Sequence, residues 1–134
     1  MEQISKQVIV MRKDLNMRKG KMIAQGAHAS MKVFFDKMTA YGKTQGRPYF
    51  KGLALNSEEA EWVDGIFTKI CVSVNSEAEL LDVYNKAREA GLNCSLIQDA
   101  GLTEFGGVAT YTCVAIGPNY SDKIDLITGN LQLL

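Results

Sequence analysis

The chain has 134 residues, with 15 Lys+Arg and 15 Asp+Glu, and a formal net charge of zero. That length suits one domain, read here as residues 1–134, which buries roughly two thirds of its unfolded surface and so needs neither a metal nor disulfides to fold. No window holds the ~18 apolar residues in a row that a membrane span requires, and the polar start Met1-Glu-Gln-Ile-Ser-Lys has no apolar signal core, so the expectation is a cytoplasmic protein.

Gln7–Met11 is a short β-branched run and predicts a buried strand. Asp14-Leu-Asn-Met-Arg-Lys-Gly then breaks it. From Gly20 to about Thr39 the pattern is helical. Ile23, Ala27, Ser30, Phe34 and Met38 fall on one face, and Lys21, Gln25, His28 and Lys32 fall nearly opposite. Residues 41–56, with Arg47-Pro48 inside, predict a long mobile loop. Ser57–Val63 predicts a short acidic helix and Lys69–Val74 a second strand. Ser76-Glu-Ala-Glu79 is a capping-box pattern opening a helix whose apolar stripe is Leu80, Val83, Tyr84 and Ala87. Gly91 ends that helix. Cys94–Gln98 and Tyr111–Ile116 predict a third and a fourth strand, the latter stopped by Pro118. Ser121 or Asn119 caps a last helix carrying Ile124, Ile127 and Leu131.

Helices alternating with apolar strands imply a mostly parallel sheet covered on both faces. The link from the third to the fourth strand is too short for a helix, so those two should be antiparallel and the sheet mixed. The fold class is therefore α/β, a three-layer α/β/α sandwich on a four-stranded mixed sheet.

The zero net charge hides a separation. Residues 1–37 hold eight Lys/Arg and three Asp/Glu (8 − 3 = +5), and residues 38–134 hold seven and twelve (7 − 12 = −5). Arg12, Lys13, Arg18, Lys19 and Lys21 form the basic cluster, which is either a local positive field for an anionic partner or a solvated loop.

In open α/β sheets ligands gather beyond the carboxyl ends of the strands. Arg18-Lys-Gly-Lys21 follows the first strand and Asp99-Ala-Gly-Leu-Thr103 follows the third. If those strands are parallel, Lys19 and Asp99 emerge at one edge, beside the helix stripe Lys21, Gln25, His28. An ammonium, a carboxylate, a hydroxyl and an imidazole then converge. Taken singly, Lys19 reads as a solvated lysine, Asp99 as a turn residue and His28 as a surface histidine.

Other chemistries find no support. Cys71, Cys94 and Cys113 are far apart in apolar runs and read as small buried hydrophobes. One histidine without neighbouring ligands makes no zinc site. The Gly-x-Ser-x-Gly elbow, the phosphate-loop pattern and Gly-x-Gly-x-x-Gly are all missing from the sequence.

The segment Gln7-Val-Ile-Val-Met-Arg-Lys-Asp-Leu-Asn-Met-Arg-Lys-Gly-Lys-Met-Ile-Ala-Gln-Gly-Ala-His-Ala-Ser30 strongly resembles the opening of the peptidyl-tRNA hydrolases of the second type, the archaeal and eukaryotic kind. Asp99-Ala-Gly-Leu-Thr103, Ala115-Ile-Gly-Pro118 and Ile127-Thr-Gly-Asn-Leu-Gln-Leu-Leu134 resemble that family's later motifs. The resemblance implies a four-stranded mixed sheet between helices, a homodimer, and hydrolysis of the ester of peptidyl-tRNA without metal or organic cofactor.

By position it puts Lys19 on the family's functional lysine, Asp99 on its aspartate and Thr103 on its threonine, with Gln25 and His28 in its Ala-Gln-x-Ala-His segment. Thr112 matches a later threonine if one residue is inserted before it. The roles it suggests are Lys19 at the oxyanion, Asp99 orienting Lys19 or activating water, Thr103 positioning water or ribose, and His28 in proton transfer or positioning. Arg12, Lys13, Arg18 and Lys21 would hold tRNA phosphates, with Gln25 and Thr112 completing the substrate site.

Three departures stand out: Glu104 where the family carries Gln, Phe105-Gly-Gly-Val-Ala in place of a Pro-Gly loop, and a longer segment over 41–56. Glu104 should weaken nucleic-acid binding or raise the pKa of nearby carboxylates. The alternatives are a non-catalytic tRNA- or protein-binding module on the same fold, and a small-molecule binding domain.

Overall fold

The sheet is built from strands whose alternate residues feed two separate cores. In the computed structural model, which describes residues 3–47 and 52–134, β1 (Ser5–Arg12) is followed by α1 (Lys19–Thr44), α2 (Ser57–Asp64), β2 (Lys69–Val74), α3 (Glu77–Glu89), β3 (Cys94–Asp99), β4 (Thr110–Tyr120) and α4 (Ser121–Thr128). Val8 and Val10 of β1 and Val114 and Ile116 of β4 point to one face, where they meet Leu80, Val83 and Ala87 of α3 and Ile124 of α4. Ile9, Met11, Cys113 and Ala115 point to the other face, against Ala29 and Val33 of α1. Both strands bury both faces, which is why they read as continuous apolar runs.

The strand order is β2-β1-β4-β3. Among the described residues only β1 and β2 pair in parallel; β4 pairs antiparallel with both β1 and β3. The sheet is thus mixed as expected, but less parallel, because the β3–β4 hairpin inserts its second strand between β3 and β1. β1, β2 and β3 still run the same way, so their carboxyl ends share an edge. Helices α1 and α2 lie on one face, tied by stacking of Phe34 on Trp62 (centroids 5.9 Å apart) and by Lys37 Nζ donating to buried Glu59 at 2.7 Å. Helices α3 and α4 cover the other face.

Several sequence expectations move. The face of α1 turned to the sheet is Gln25, Gly26, Ala29 and Val33, not the Ile23 stripe; Ile23 is 73% exposed. Small residues let the helix sit close to the sheet, and Gln25 accepts burial because both ends of its amide are hydrogen-bonded there. Helix α1 runs on to Thr44, so the expected loop begins later, and residues 48–51 of it lie outside the described residues. Pro118 does not stop β4, which continues to Tyr120. A register shift opposite Lys6–Val8 accommodates it, the kind of position a strand allows to proline. Tyr120, without a side-chain cap, precedes α4, rather than Asn119 or Ser121 acting as cap. Ser76 does cap α3, accepting from the Glu79 N–H at 3.0 Å, while the Glu79 carboxylate reaches back to the Asn75 N–H. Cys113 is buried, Cys94 half-buried and Cys71 exposed, so Cys71 is not the core residue its strand suggested.

Candidate active site at the carboxyl edge of the sheet

Three segments supply the site: the first two turns of α1, the end of β3 with the loop after it, and the start of β4. Lys21 Nζ donates to Asp99 Oδ1 at 2.8 Å and to Thr103 Oγ1 at 3.1 Å. Gln25 Nε2 donates to the same Asp99 oxygen at 3.2 Å. The Gly101 N–H donates to Asp99 Oδ2 at 2.8 Å. Behind them, the buried Thr112 hydroxyl donates to Gln25 Oε1, which fixes the amide so that its NH₂ end faces Asp99.

The backbone has specific reasons to place these groups together. Lys21 and Gln25 are one turn apart on α1 and so share a flank. On β4, Thr112 falls between Tyr111 and Cys113, which pair with the adjacent residues Gln98 and Ile97; it is the extra residue of a β-bulge, a device that re-aims a side chain. Gly101 has φ +81°, and a Cβ there would lie 2.2 Å from the Val108 carbonyl oxygen. Only glycine permits that approach, and it folds the 99–110 loop over so that Thr103 faces Lys21. Phe105 packs its ring 5.7 Å from the Lys21 ammonium.

The electrostatics follow from these partners. The Lys21 hydrogen bond, then the Gly101 N–H and Gln25, hold the Asp99 carboxyl below its ordinary value of 3.8 in spite of partial burial. Asp99 is therefore ionised at neutral pH, and both of its oxygens accept hydrogen bonds. Lys21 has three N–H donors and spends two of them, on Asp99 and Thr103; the third is free to meet an incoming oxygen. Burial pushes the Cys113 thiol up to about 12 and raises those of Cys71 and Cys94, which leaves none of them activated as a nucleophile.

The sequence-predicted residues separate here. Asp99, Thr103, Gln25 and Thr112 come together. Lys19 does not join them: it lines an apolar groove on the β2 side of α1 with Ile23, Ala27 and Phe67. A two-residue step turns a helix by roughly 200°, so Lys19 and Lys21 cannot serve one flank, and the lysine that meets Asp99 is Lys21. The signal was present in the sequence, since Lys21 already stood in register with Gln25 and His28. His28 is exposed further along the same flank, in a groove between α1 and β3.

Arg12 is turned inward. Its guanidinium donates to both Asp14 oxygens and to the Tyr111 carbonyl. Lys13 and Arg18 are exposed. Glu104 lies 3.8 Å from Arg18, and the Asp99 carboxyl is lowered, not raised, chiefly by its hydrogen bond from Lys21. The Gly101 N–H and the Phe105 ring are parts of the site that were not expected there; the sequence marked Phe105 only as a departure from the family's loop. Among the described residues no group of three or more His, Cys, Asp or Glu could hold a metal ion, and no helix is long and apolar enough to cross a membrane.

A family model described as "Peptidyl-tRNA hydrolase PTH2" matches residues 5–134. Among curated proteins, the chain is similar to the peptidyl-tRNA hydrolase of Methanocaldococcus jannaschii, 46% identical over 96% of this chain and 99% of the relative. It is also similar to those of Methanothermobacter thermautotrophicus, at 42%, and Sulfolobus acidocaldarius, at 36%, with the same coverage of both chains.

Proposed function

We infer a mechanism from the premise that this chain belongs to the peptidyl-tRNA hydrolase PTH2 family and hydrolyses the ester that joins a peptide to tRNA, releasing both. The reaction needs a water, stabilisation of a developing oxyanion and a proton for the departing ribose oxygen. Lys21 supplies the positive charge at the oxyanion. The observation that supports this is its ammonium, gripped by ionised Asp99 and Thr103 with one N–H left over.

Asp99 acts as the anchor of Lys21 rather than as the base, since its oxygens are already accepting from Lys21, Gln25 and Gly101. Thr103 is exposed, accepts from Lys21 and keeps its own O–H to orient the water or the ribose. His28, on the same flank, serves proton transfer. Gln25 and Thr112 are 2% and 0% exposed, so they position Asp99 without touching the substrate. Lys13, Arg18 and Lys19 meet tRNA phosphates. Arg12, three of whose five N–H donors bond Asp14 and the Tyr111 carbonyl, holds the loop that carries them.

We also read the chain as one domain acting in the cytoplasm as a homodimer, a state that sedimentation tests by returning twice the chain mass. The functional test is incubation with N-acetyl-aminoacyl-tRNA. Wild type releases free tRNA; binding without release would leave only a tRNA-binding module. Removing one oxyanion donor costs roughly 10²–10³ in rate, so Lys21→Ala loses that much kcat, whereas Lys19→Ala raises KM and keeps kcat. The opposite pattern would return the catalytic role to Lys19.

A further inference from the structure

We propose that the peptide portion of the substrate binds as an added strand along the free edge of β3. It would run parallel to β3, in the groove between that edge and α1. This rests on the hydrolase reading above and names where the acyl half of the substrate goes.

The groove holds about 520 Å³ and is lined by His28, Met31, Lys32 and Phe35 of α1 and by Leu96, Ile97 and Gln98 of β3, among others. Its lining adjoins the reaction site along both elements, because Gln98 precedes Asp99 on β3 and His28 is about one turn beyond Gln25 on α1. β3 is the last strand in the sheet order and, among the described residues, pairs only with β4. Among the described residues its other edge carries no strand, and such an edge presents alternate N–H and C=O groups to whatever lies beside it. Ser95 and Ile97 turn under α1, and Gln98 is exposed. Met31 and Phe35 are 55% and 50% exposed, two apolar side chains one turn apart on the wall of the groove.

The chemistry of the substrate selects this occupant. Peptides of any sequence must be accepted, so side-chain pockets cannot carry recognition, whereas the backbone is common to all of them. Adding a strand to a sheet edge recognises backbone alone. The direction is fixed by the reaction. The C-terminal carbonyl of the peptide must reach Lys21 and Thr103 at the carboxyl end of β3, so the peptide runs the same way as β3. At roughly 3.3 Å per residue, the stretch from Leu96 to Gln98 accommodates about three peptide residues. Alternate side chains face Met31 and Phe35, and the others face solvent.

The test measures Kd for RNA 3′ ends carrying a non-hydrolysable amide-linked acyl group of one to five residues, so that binding is read apart from turnover. Two added backbone hydrogen bonds at roughly 0.5–1.5 kcal/mol each predict about tenfold tighter binding from one residue to three, then a plateau. N-methylation of the peptide amides should abolish that gain, and Phe35→Ala should reduce it while leaving hydrolysis of N-acetyl-aminoacyl-tRNA unchanged. Affinity independent of peptide length, or a gain that survives N-methylation, overturns the proposal. Hydrolysis by the same preparation is scored separately, so a silent enzyme would count against the hydrolase reading and not against the peptide seat.

Discussion

At the scale of single residues, the site depends on the order in which donors are spent. Thr112 fixes Gln25, Gln25 and the Gly101 N–H fix Asp99, and Asp99 fixes Lys21. Thr112→Val would leave Gln25 Oε1 buried without its donor, a loss of roughly 1–3 kcal/mol that urea unfolding would register, together with a fall in kcat. An unchanged midpoint would show that the hydroxyl is idle. The lowered pKa of Asp99 has its own signature. Because the folded value lies below the ordinary 3.8, ionised Asp99 stabilises the fold fully above that ordinary value, and the increment is lost as pH falls through the folded one. Stability measured from pH 7 down to 2 should therefore drop more steeply below about 4 in wild type than in Asp99→Asn. Identical acid slopes would contradict the assignment. Most of these residues were legible in the sequence because loops after parallel strands gather at one edge. The choice between Lys19 and Lys21 was not, since it depends on which flank of α1 faces β3, and the exposed Ile23 made the wrong flank look like the buried one.

At the scale of elements, α1 divides the upper face of the sheet into two flanks: Lys21, Gln25 and His28 toward β3, Lys19 and Ile23 toward β2. Strands β2, β3 and the core of β1 could be read from apolar runs, as could α3 from its cap and stripe. The longer β4 could not, because Pro118 is a stop signal unless a register shift absorbs it, and the bulge at Thr112 depends on pairing with a strand that is distant only in space. The 99–110 loop stands on Gly101. Gly101→Ala must move the Val108 carbonyl, 2.2 Å from the new Cβ, at a φ that side chains avoid. Strain of this kind costs roughly 1–3 kcal/mol and displaces both the Gly101 N–H and Thr103. The variant should stay folded by circular dichroism while losing most of its kcat; full activity would mean that the loop geometry is dispensable.

At the scale of the molecule, the +5 of residues 1–37 and the −5 of residues 38–134 place the positive charge on the segment that leaves β1 and enters α1, at the edge that carries Lys21 and Asp99. The neutral total therefore says little about affinity for RNA. KM for peptidyl-tRNA should rise with salt as counterions cease to be released, and Lys13→Ala or Arg18→Ala should each flatten that dependence by roughly 0.7–0.9 in log–log slope with kcat kept. Glu104, facing the highly exposed Arg18 across 3.8 Å, should temper this only slightly, since exposed pairs contribute little. The two halves of the chain meet at the pair of Lys21 and Asp99, and a double-mutant cycle in kcat tests that union most directly. If Asp99 works by holding the Lys21 ammonium, then Lys21→Ala and Asp99→Asn each slow hydrolysis severely and the double variant is no slower than Lys21→Ala alone. Losses that multiply in the double variant would show two independent contributions and contradict the account.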